Sequence, residues 1–438
     1  MKQTIIKSAI VAVAFLAAAG GAAAQADYDF SALNADSAEL FYKITGPQSL
    51  TVYGHVHDTA DPSTAYLGTL HLPDTLTHDG TLYTVTAIGD SAFKEQGQMT
   101  GVDIPATVDS IGDNAFLFCS GLLAINIPEG VRHIGKYAFF FCNNASTTNI
   151  PSTVKTIDMG AFGSGGGNLY IHNAACTIGD MALQTRSGNV NLGDSVVSLG
   201  NAVFQYSNIH RIIIPQSVRH IGGSTFVGCM YLNSVMLPDC IDTIGDHMFE
   251  ACFSLRNITL PPALKHIGES AFIESHITGP IELPATLQSI GPSAFAYATA
   301  LNGFVSAATV PPTTDESAFT GINHQIPIVV PCGTIEAYST APGWEVFSEF
   351  SEDCDGIDAT ADLQQVSITP NPATDEATVL SSFGIDEVDV YDMGGASVLR
   401  QQASGLKARL DVKALPRGTY IVRIHTPLGV TARKLILQ

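Results

Sequence analysis

The stretch Phe116-Leu117-Phe118-Cys119-Ser120-Gly121-Leu122-Leu123-Ala124-Ile125-Asn126-Ile127-Pro128-Glu129-Gly130-Val131-Arg132-His133-Ile134-Gly135-Lys136-Tyr137-Ala138-Phe139 decides the fold. Its last six residues, Ile134-Gly135-x-x-Ala138-Phe139, repeat Ile111-Gly112-x-x-Ala115-Phe116 and Ile88-Gly89-x-x-Ala92-Phe93. The step returns at Ile157 (with Asp158 for glycine), Ile178, Leu199, Ile221, Ile244, Ile267 and Ile290, and a degraded copy ends in Ala318-Phe319. From Ile88 the spacings are 23, 23, 23, 21, 21, 22, 23, 23 and 23 residues. A fixed period of about 20–29 residues on Leu/Ile positions is the sequence mark of a solenoid.

Each copy has a second landmark, an apolar-x-apolar-Pro step. It reads Val102-Asp103-Ile104-Pro105, Ile125-Asn126-Ile127-Pro128, Ile212-Ile213-Ile214-Pro215, Val235-Met236-Leu237-Pro238, Ile258-Thr259-Leu260-Pro261 and Ile281-Glu282-Leu283-Pro284. Period-two alternation with β-branched residues predicts a strand. Proline ends it, because proline has no N–H for the ladder. The glycine of Ile-Gly is expected to allow a tight or positive-φ turn, and Ala-Phe to point inward. Stacked coils should align these strands into one long parallel sheet, about 4.8 Å per rung. The predicted class is mainly β: a leucine-rich repeat solenoid of about eleven coils of 21–24 residues over 88–319. Caps are expected at 27–87, where Leu50-Thr51-Val52-Tyr53 alternates, and at 320–354, which holds Phe347 and the sole tryptophan, Trp344.

The two ends read differently. Lys2 and Lys7 precede an apolar run, Ala9 to Ala19, and Ala24-Gln25-Ala26 gives a small-x-small cleavage pattern. Residues 1–26 are therefore expected to be an export signal, leaving the chain secreted or at the cell surface. The 438-residue chain carries a net charge of −21. Residues 27–365 hold 34 acidic and 10 basic side chains, whereas 366–438 hold 7 and 8. That balance excludes nucleic acid as a partner, since binding it needs a basic surface. The polar, acidic stretch 355–365 suits a linker to a C-terminal domain, 366–438, expected to be a small β-sandwich.

The coil pattern, Leu-x-x-Ile-x-Ile-Pro-x-x-Val-x-x-Ile-Gly-x-x-Ala-Phe-x-x-Cys, resembles the BspA-like leucine-rich repeat family of bacterial surface proteins over roughly 40–350. The tail is similar to the C-terminal sorting domain of the type IX (Por) secretion system. The likeness rests on Pro370-Asn371-Pro372, then Tyr391-Asp392-Met393-x-Gly395, then Pro416-x-Gly418-x-Tyr420, and Lys434 near the end. Ala396 departs from the basic residue usual after that glycine. These resemblances imply contact with the secretion machinery, export across the outer membrane, and adhesion to host extracellular matrix proteins, glycoproteins or other bacterial cells.

Little in the chain points to catalysis, and neither enzyme activity nor a cofactor or metal is expected. Gly163-Ser164-Gly165-Gly166-Gly167 lacks the lysine and spacing of a phosphate loop and reads as a turn or kink. His55-x-His57-Asp58 supplies two imidazoles, which do not make a metal site. His133, His220 and His266 fill one repeat slot before Ile-Gly and read as a surface stripe. Cys119, Cys142, Cys229 and Cys252 each follow the motif Phe by three residues. They read as buried small hydrophobes, although adjacent rungs lie within disulfide reach. Cys332 and Cys354, bracketing the terminal cap, are the leading disulfide candidate, and Cys176 and Cys240 have no assignment.

A solenoid binds along its exposed sheet face, where each coil contributes one outward residue. Down the stack this column reads Asp103, Asn126, Asn149, Tyr170, Asn191, Ile213, Met236, Thr259 and Glu282. Tyr170, Ile213 and Met236, with His210, Arg211 and Arg256 beside them, form the expected contact patch: an apolar centre with basic edges. The predicted function is non-covalent adhesion or protein binding. The alternative is a structural surface or matrix component that self-associates.

Overall fold

The structure, a computed structural model, describes residues 28–55, 64–354, 366–381, 384–392, 396–426 and 429–438. The expected export segment 1–26, His57 and Asp58, the expected linker 355–365, Met393 and Gly395 lie outside the described residues. The chain divides into two units between Cys354 and Asp355. The first is a β-solenoid.

Its spine is the inward Ile and Phe of each coil. Phe93, Phe116, Phe139 and Phe162 stack with centroids 4.9 to 5.3 Å apart, and Phe204, Phe226, Phe249, Phe272 and Phe295 continue at 5.2 to 5.5 Å. Leu183 fills the slot between the two runs. No coil could bury these rings alone, so each depends on its neighbours for its core.

Each typical coil contributes to two parallel ladders. One is the expected apolar-x-apolar strand. The other is the residue pair that ends in the Ile of the Ile-Gly step, which sequence reading treated as a turn. Ala87/Ile88 pair in register with Ser110/Ile111, His133/Ile134, Thr156/Ile157, Thr177/Ile178, Ser198/Leu199 and His220/Ile221 in succession. After a break, Thr243/Ile244, His266/Ile267 and Ser289/Ile290 pair the same way.

The glycine of this step is needed for contact, not for backbone freedom. Gly112 and Gly135 do not adopt positive φ. Asp90 Oδ1 accepts the Asp113 N–H at 2.8 Å, and Asp113 Oδ1 accepts that of Lys136 at 2.7 Å, so each aspartate clamps the next coil. A Cβ on Gly112 would fall 2.5 Å from Asp90 Oδ1, and one on Gly135 2.6 Å from Asp113 Oδ1. The exception is Asp158, on the coil after the one that carries Lys136 in the aspartate's place.

The positive-φ residues lie instead on either side of Ala-Phe. Ser91 and Glu95, Asn114 and Phe118, and Tyr137 and Phe141 have φ of 53° to 65°. Along this corner alternate N–H groups all donate forward. Ser91, Phe93 and Glu95 donate to Asp113, Ala115 and Leu117, and Asn114, Phe116 and Phe118 to Lys136, Ala138 and Phe140. The pattern runs on to Ser270, Phe272 and Glu274, which donate to Pro292, Ala294 and Ala296. Tyrosines at these corners lie over glycines of the next coil: a Cβ on Gly160 or Gly228 would sit 2.3 Å from the ring of Tyr137 or Tyr206.

The column three residues after the motif Phe carries the cysteines. Cys119 and Cys142 donate their S–H to the carbonyls of Phe93 and Phe116 at 2.9 and 3.3 Å. Cys229 and Cys252 donate to Phe204 and Phe226 at 3.0 and 3.2 Å. All four are free and buried, and burial pushes the Cys119 and Cys229 thiols up to about 12. Two coils in this column hold Gly165 and Arg186. The Arg186 side chain is buried and reaches into the room glycine leaves, where a Gly165 Cβ would meet Nη1 at 2.3 Å. Its Nη2 donates to Gly166 O at 2.8 Å and Thr148 Oγ1 at 3.3 Å. Desolvation lowers the guanidinium to about 10. The Gly163–Gly167 run is therefore a turn whose carbonyls a buried arginine caps.

Both ends of the array are closed. At the start, Phe30–Leu33, Glu39–Gly46 and Ser49–Tyr53 form an antiparallel meander, and the last of these runs parallel to Thr81–Ile88. At the finish, Ile281–Leu283, Phe304–Ser306, Ile328–Pro331 and Phe350–Asp353 pair in parallel. Trp344 is buried against Phe304 and Phe319, its Nε1 donating to Pro312 O at 2.9 Å. A disulfide joins Cys332 to Cys354 across 22 residues.

The second unit has its own core, including Val379, Val388, Val390, Leu410, Val422 and Leu435. Val366–Thr369, Glu376–Ser381 and Lys407–Asp411 form one antiparallel sheet. Ser397–Gln402, Glu387–Tyr391, Gly418–Thr426 and Gly429–Leu437 form another.

Candidate functional site

The outward column of the face is built by strand register. Asn126 pairs with Asn149, Asn149 with Tyr170, and Tyr170 with Asn191. Ile213 pairs with Met236. At its start the column is hydrogen-bonded and polar. Asn149 Nδ2 donates to Asn126 Oδ1 at 2.8 Å, and His172 Nε2 meets Asn149 Oδ1 at 3.3 Å. Before them His71 lies between two carboxylates, 2.9 Å from Asp36 and 3.0 Å from Asp103.

The face is not the single long sheet expected from the repeat. One ladder runs from Ala124–Asn126 to Val190–Asn191 and stops. Arg211–Ile213 and Ser234–Met236 pair only with each other, residues 257–260 form no strand, and pairing resumes at Ile281–Leu283. The coils of 21 and 22 residues lie at the first break.

The expected patch residues are thereby sorted. Ile213 and Met236 are 66% and 59% exposed, side by side on the isolated two-strand ladder. Inward Ile212 and Val235 are buried beneath them, as the period of a strand requires. Arg211 is two residues before Ile213 and shares its face. His210 stacks on the exposed Tyr231, centroids 5.7 Å apart, beside the exposed Met230. Arg256 begins the following coil and is exposed, its Nη1 donating to His276 O at 3.4 Å. Neither Arg211 nor Arg256 has a carboxylate within 4.0 Å among the described residues. Tyr170 is not part of this cluster. It is half-buried, ring-stacked with His172 at 6.4 Å, and separated from Ile213 by the Asn191 rung.

The other candidates resolve as structure. His133 Nδ1 meets Thr156 Oγ1 at 2.6 Å, and His266 Nδ1 meets Ser289 Oγ at 2.9 Å, so two of the three histidines of the stripe bond to the next rung. Cys240 is exposed and accepts from Arg219 Nη1 at 2.8 Å, whereas Cys176 is buried. Sequence reading missed Arg186, although aligning the coils places it in the cysteine column, one rung after a glycine.

In the second unit the motif residues are joined through the last strand. Asn371 Nδ2 donates to Lys434 O at 2.7 Å and its Oδ1 accepts the Ile436 N–H at 2.9 Å, so the side-chain amide acts as a strand partner. Pro370 and Pro372 flank it at the surface, and the exposed Lys434 lies on the strand it holds. Tyr420 OH donates to Pro416 O at 2.6 Å across the turn that holds Gly418. Asp392 Oδ1 accepts from Ala396 N at 2.9 Å. Among the described residues no helix is long and apolar enough to cross a membrane.

Comparison with known proteins agrees with this architecture. The family model for the BspA type leucine rich repeat region matches in six copies, over residues 86–187 and 176–302. The model for the secretion system C-terminal sorting domain matches 367–438. Solved structures similar to this chain include a leucine-rich repeat protein from Bacteroides ovatus (23% identity, 75% of this chain and 100% of that one, TM-score 0.34). A leucine rich cell surface protein from Faecalibacterium prausnitzii is also similar (19%, 75% and 96%, TM-score 0.40). A third is the pneumococcal vaccine antigen PcpA (14%, 74% and 99%, TM-score 0.39). No curated protein matches. The repeats, their stacking and the closing domain together make the chain a BspA-type leucine-rich repeat protein, exported to the surface or beyond by a secretion system C-terminal sorting domain.

Proposed function

We propose that this surface or secreted protein acts without chemistry of its own, as an adhesive binding module whose ligand-contacting surface is the solenoid face. The observation that carries the reading is the exposed Ile213–Met236 pair, in register on neighbouring rungs. Exposed apolar side chains grouped together usually serve an interface. Nothing in the solenoid needs these two side chains for packing, since Ile212 and Val235 already fill the interior. The buried cysteines hold protons on their thiols and donate to carbonyls, which suits packing better than nucleophilic attack.

The test is binding of the purified chain to host matrix proteins, mucin glycoproteins and whole bacterial cells. An Ile213→Ser/Met236→Ser variant and a Tyr170→Ala variant run alongside. Saturable binding lost in the double variant and retained in Tyr170→Ala supports the reading. Equal binding by all three moves the site elsewhere on the solenoid. Absence of binding, with concentration-dependent assembly of the chain, favours a structural role.

A further inference from the structure

The face patch also carries information about what it holds. Resting on the reading just given, we infer that its ligand is an extended polypeptide segment with one or two carboxylates beside a large apolar side chain. The argument is charge complementarity around an apolar anchor site.

Residues 27–365 carry 34 acidic and 10 basic side chains, so an arginine is scarce on this array. One of the ten, Arg186, is buried in the core. Two of the remaining nine flank the Ile213–Met236 pair along the chain: Arg211 is two residues before Ile213 on the same strand face, and the exposed Arg256 opens the coil that follows Met236. Both lack a carboxylate within 4.0 Å among the described residues, although the chain offers many. Of the nine, only Lys94 and Lys265 pair with a carboxylate among the described residues, Glu95 and Asp242. An unpaired guanidinium presents a planar fork of donors that suits a carboxylate.

The apolar part sets the class of partner. Ile213 and Met236 offer aliphatic and thioether surface, and Met230 and Tyr231 extend it toward the strand start. Such surface takes up a Leu, Phe or Met side chain, and a flexible methionine adapts to each. Arg211 and Ile213 lie two residues apart, about 7 Å along a strand. A ligand in extended conformation reproduces that interval between its own carboxylate and its own apolar residue. The rest of the face column bears Asp103 and Glu282, so a uniformly acidic ligand would be repelled on either side. The match is to a short acidic-apolar stretch, not to a polyanion.

The test uses the full purified chain and three fluorescent ten-residue peptides. All carry the same central leucine and phenylalanine, flanked by aspartates, by asparagines or by lysines. Binding is followed by anisotropy at two ionic strengths. The aspartate peptide is expected to bind about fivefold to tenfold more tightly than the asparagine peptide, with a gap that narrows in high salt. Arg211→Gln/Arg256→Gln should bring the two to equal affinity and leave the asparagine peptide unchanged. Ile213→Ser/Met236→Ser should abolish binding of both. Equal affinity of the aspartate and asparagine peptides for the unaltered chain, with both lost in the double serine variant, overturns the acidic ligand class and leaves the binding face standing. Tightest binding of the lysine peptide overturns the inference in the same way. Binding that survives the double serine variant overturns both the inference and the location of the face. No binding of any peptide at millimolar concentration overturns the inference alone, because the matrix-protein and cell panel reports on the face independently.

Discussion

Replacing Gly135 separates two explanations of the most regular residue in the repeat. A Cβ there would lie 2.6 Å from Asp113 Oδ1, 2.7 Å from Asp113 N and 2.7 Å from the Gly112 carbonyl carbon. Ordinary contact needs about 3.4 Å, so the coils must separate locally by roughly 0.7 Å, a displacement typical of overpacking. That motion works against the Gly135 N–H to Ile111 O bond, 2.8 Å, and the Lys136 N–H to Asp113 Oδ1 bond, 2.7 Å. Overpacking of this kind costs about 1–3 kcal/mol, and weakening a charge-assisted hydrogen bond adds about 1. Gly135→Ala is therefore expected to cost about 3 kcal/mol. Gly135→Asn should cost at least as much, because asparagine relieves a left-handed backbone but not a collision. Hydrogen exchange at amides 111–117 and 134–140, with urea unfolding as the global measure, reads the effect coil by coil, as a quasi-one-dimensional array requires. Asn tolerated where Ala is not would refute the contact argument in favour of backbone conformation. A loss below about 1 kcal/mol for both would refute the close approach itself.

Arg186→Ala should lower stability by about 3–5 kcal/mol, since it leaves a cavity beside Gly165 and strands the Gly166 carbonyl; urea denaturation checks this, and a neutral result would mean that removal of the desolvated charge compensates in full. Cys332→Ser should cost about 3 kcal/mol by loop entropy, read as faster exchange confined to the terminal cap around Phe350–Asp353. Asp389 is held below the usual carboxylate range by the hydrogen bond from Arg400, with further support from nearby charge. Its contribution to the C-terminal unit is therefore full above about pH 4 and disappears as pH falls through the lowered folded value. Asp389→Asn should flatten that acid limb in a pH series of thermal melts. Ile213→Ser/Met236→Ser should leave thermal stability within about 0.5 kcal/mol, because both side chains are exposed; a larger loss would mean that they support the fold and not a ligand.

The solenoid was legible because its information is local and repeated. Ile88, Phe93 and their copies face inward in every coil, so one pattern specified every rung. The proline after most face strands likewise marked their end. What sequence reading could not supply lies between coils. From Ser110–Ile111 onward the strand that ends at this Ile is only two residues long in each copy and emerges as a ladder only when neighbours are paired. The role of Gly112 depends on Asp90, 22 residues earlier and directly beneath it. The same is true of Tyr137 and Gly160, which matter to one another only across a joint. On the face, the residues Ile213 and Met236 were identifiable as outward by alternation alone. The breaks on either side of them were not, because they appear only in the pairing between coils. Tyr170 was grouped with that pair by its exposure on the face, whereas in the fold it is half-buried and one rung removed.

The corner beside Ala-Phe has an electrical consequence. Each peptide there points its carbonyl toward the start of the array and its N–H toward the finish, three peptides per coil. A peptide carries about 3.5 D, so some thirty aligned units sum to roughly 100 D along the solenoid axis. Three columns with a rise of about 4.8 Å correspond to about half an elementary charge at each end, the macrodipole of a single long α-helix. Its sense is reversed relative to a helix running the same way: the end near Phe93 is negative and the end near Phe319 positive. Asp315 and Glu316 sit at that positive end, and Asp315 accepts the Ser317 N–H. The solenoid thus carries an axial dipole whose two ends differ in sign.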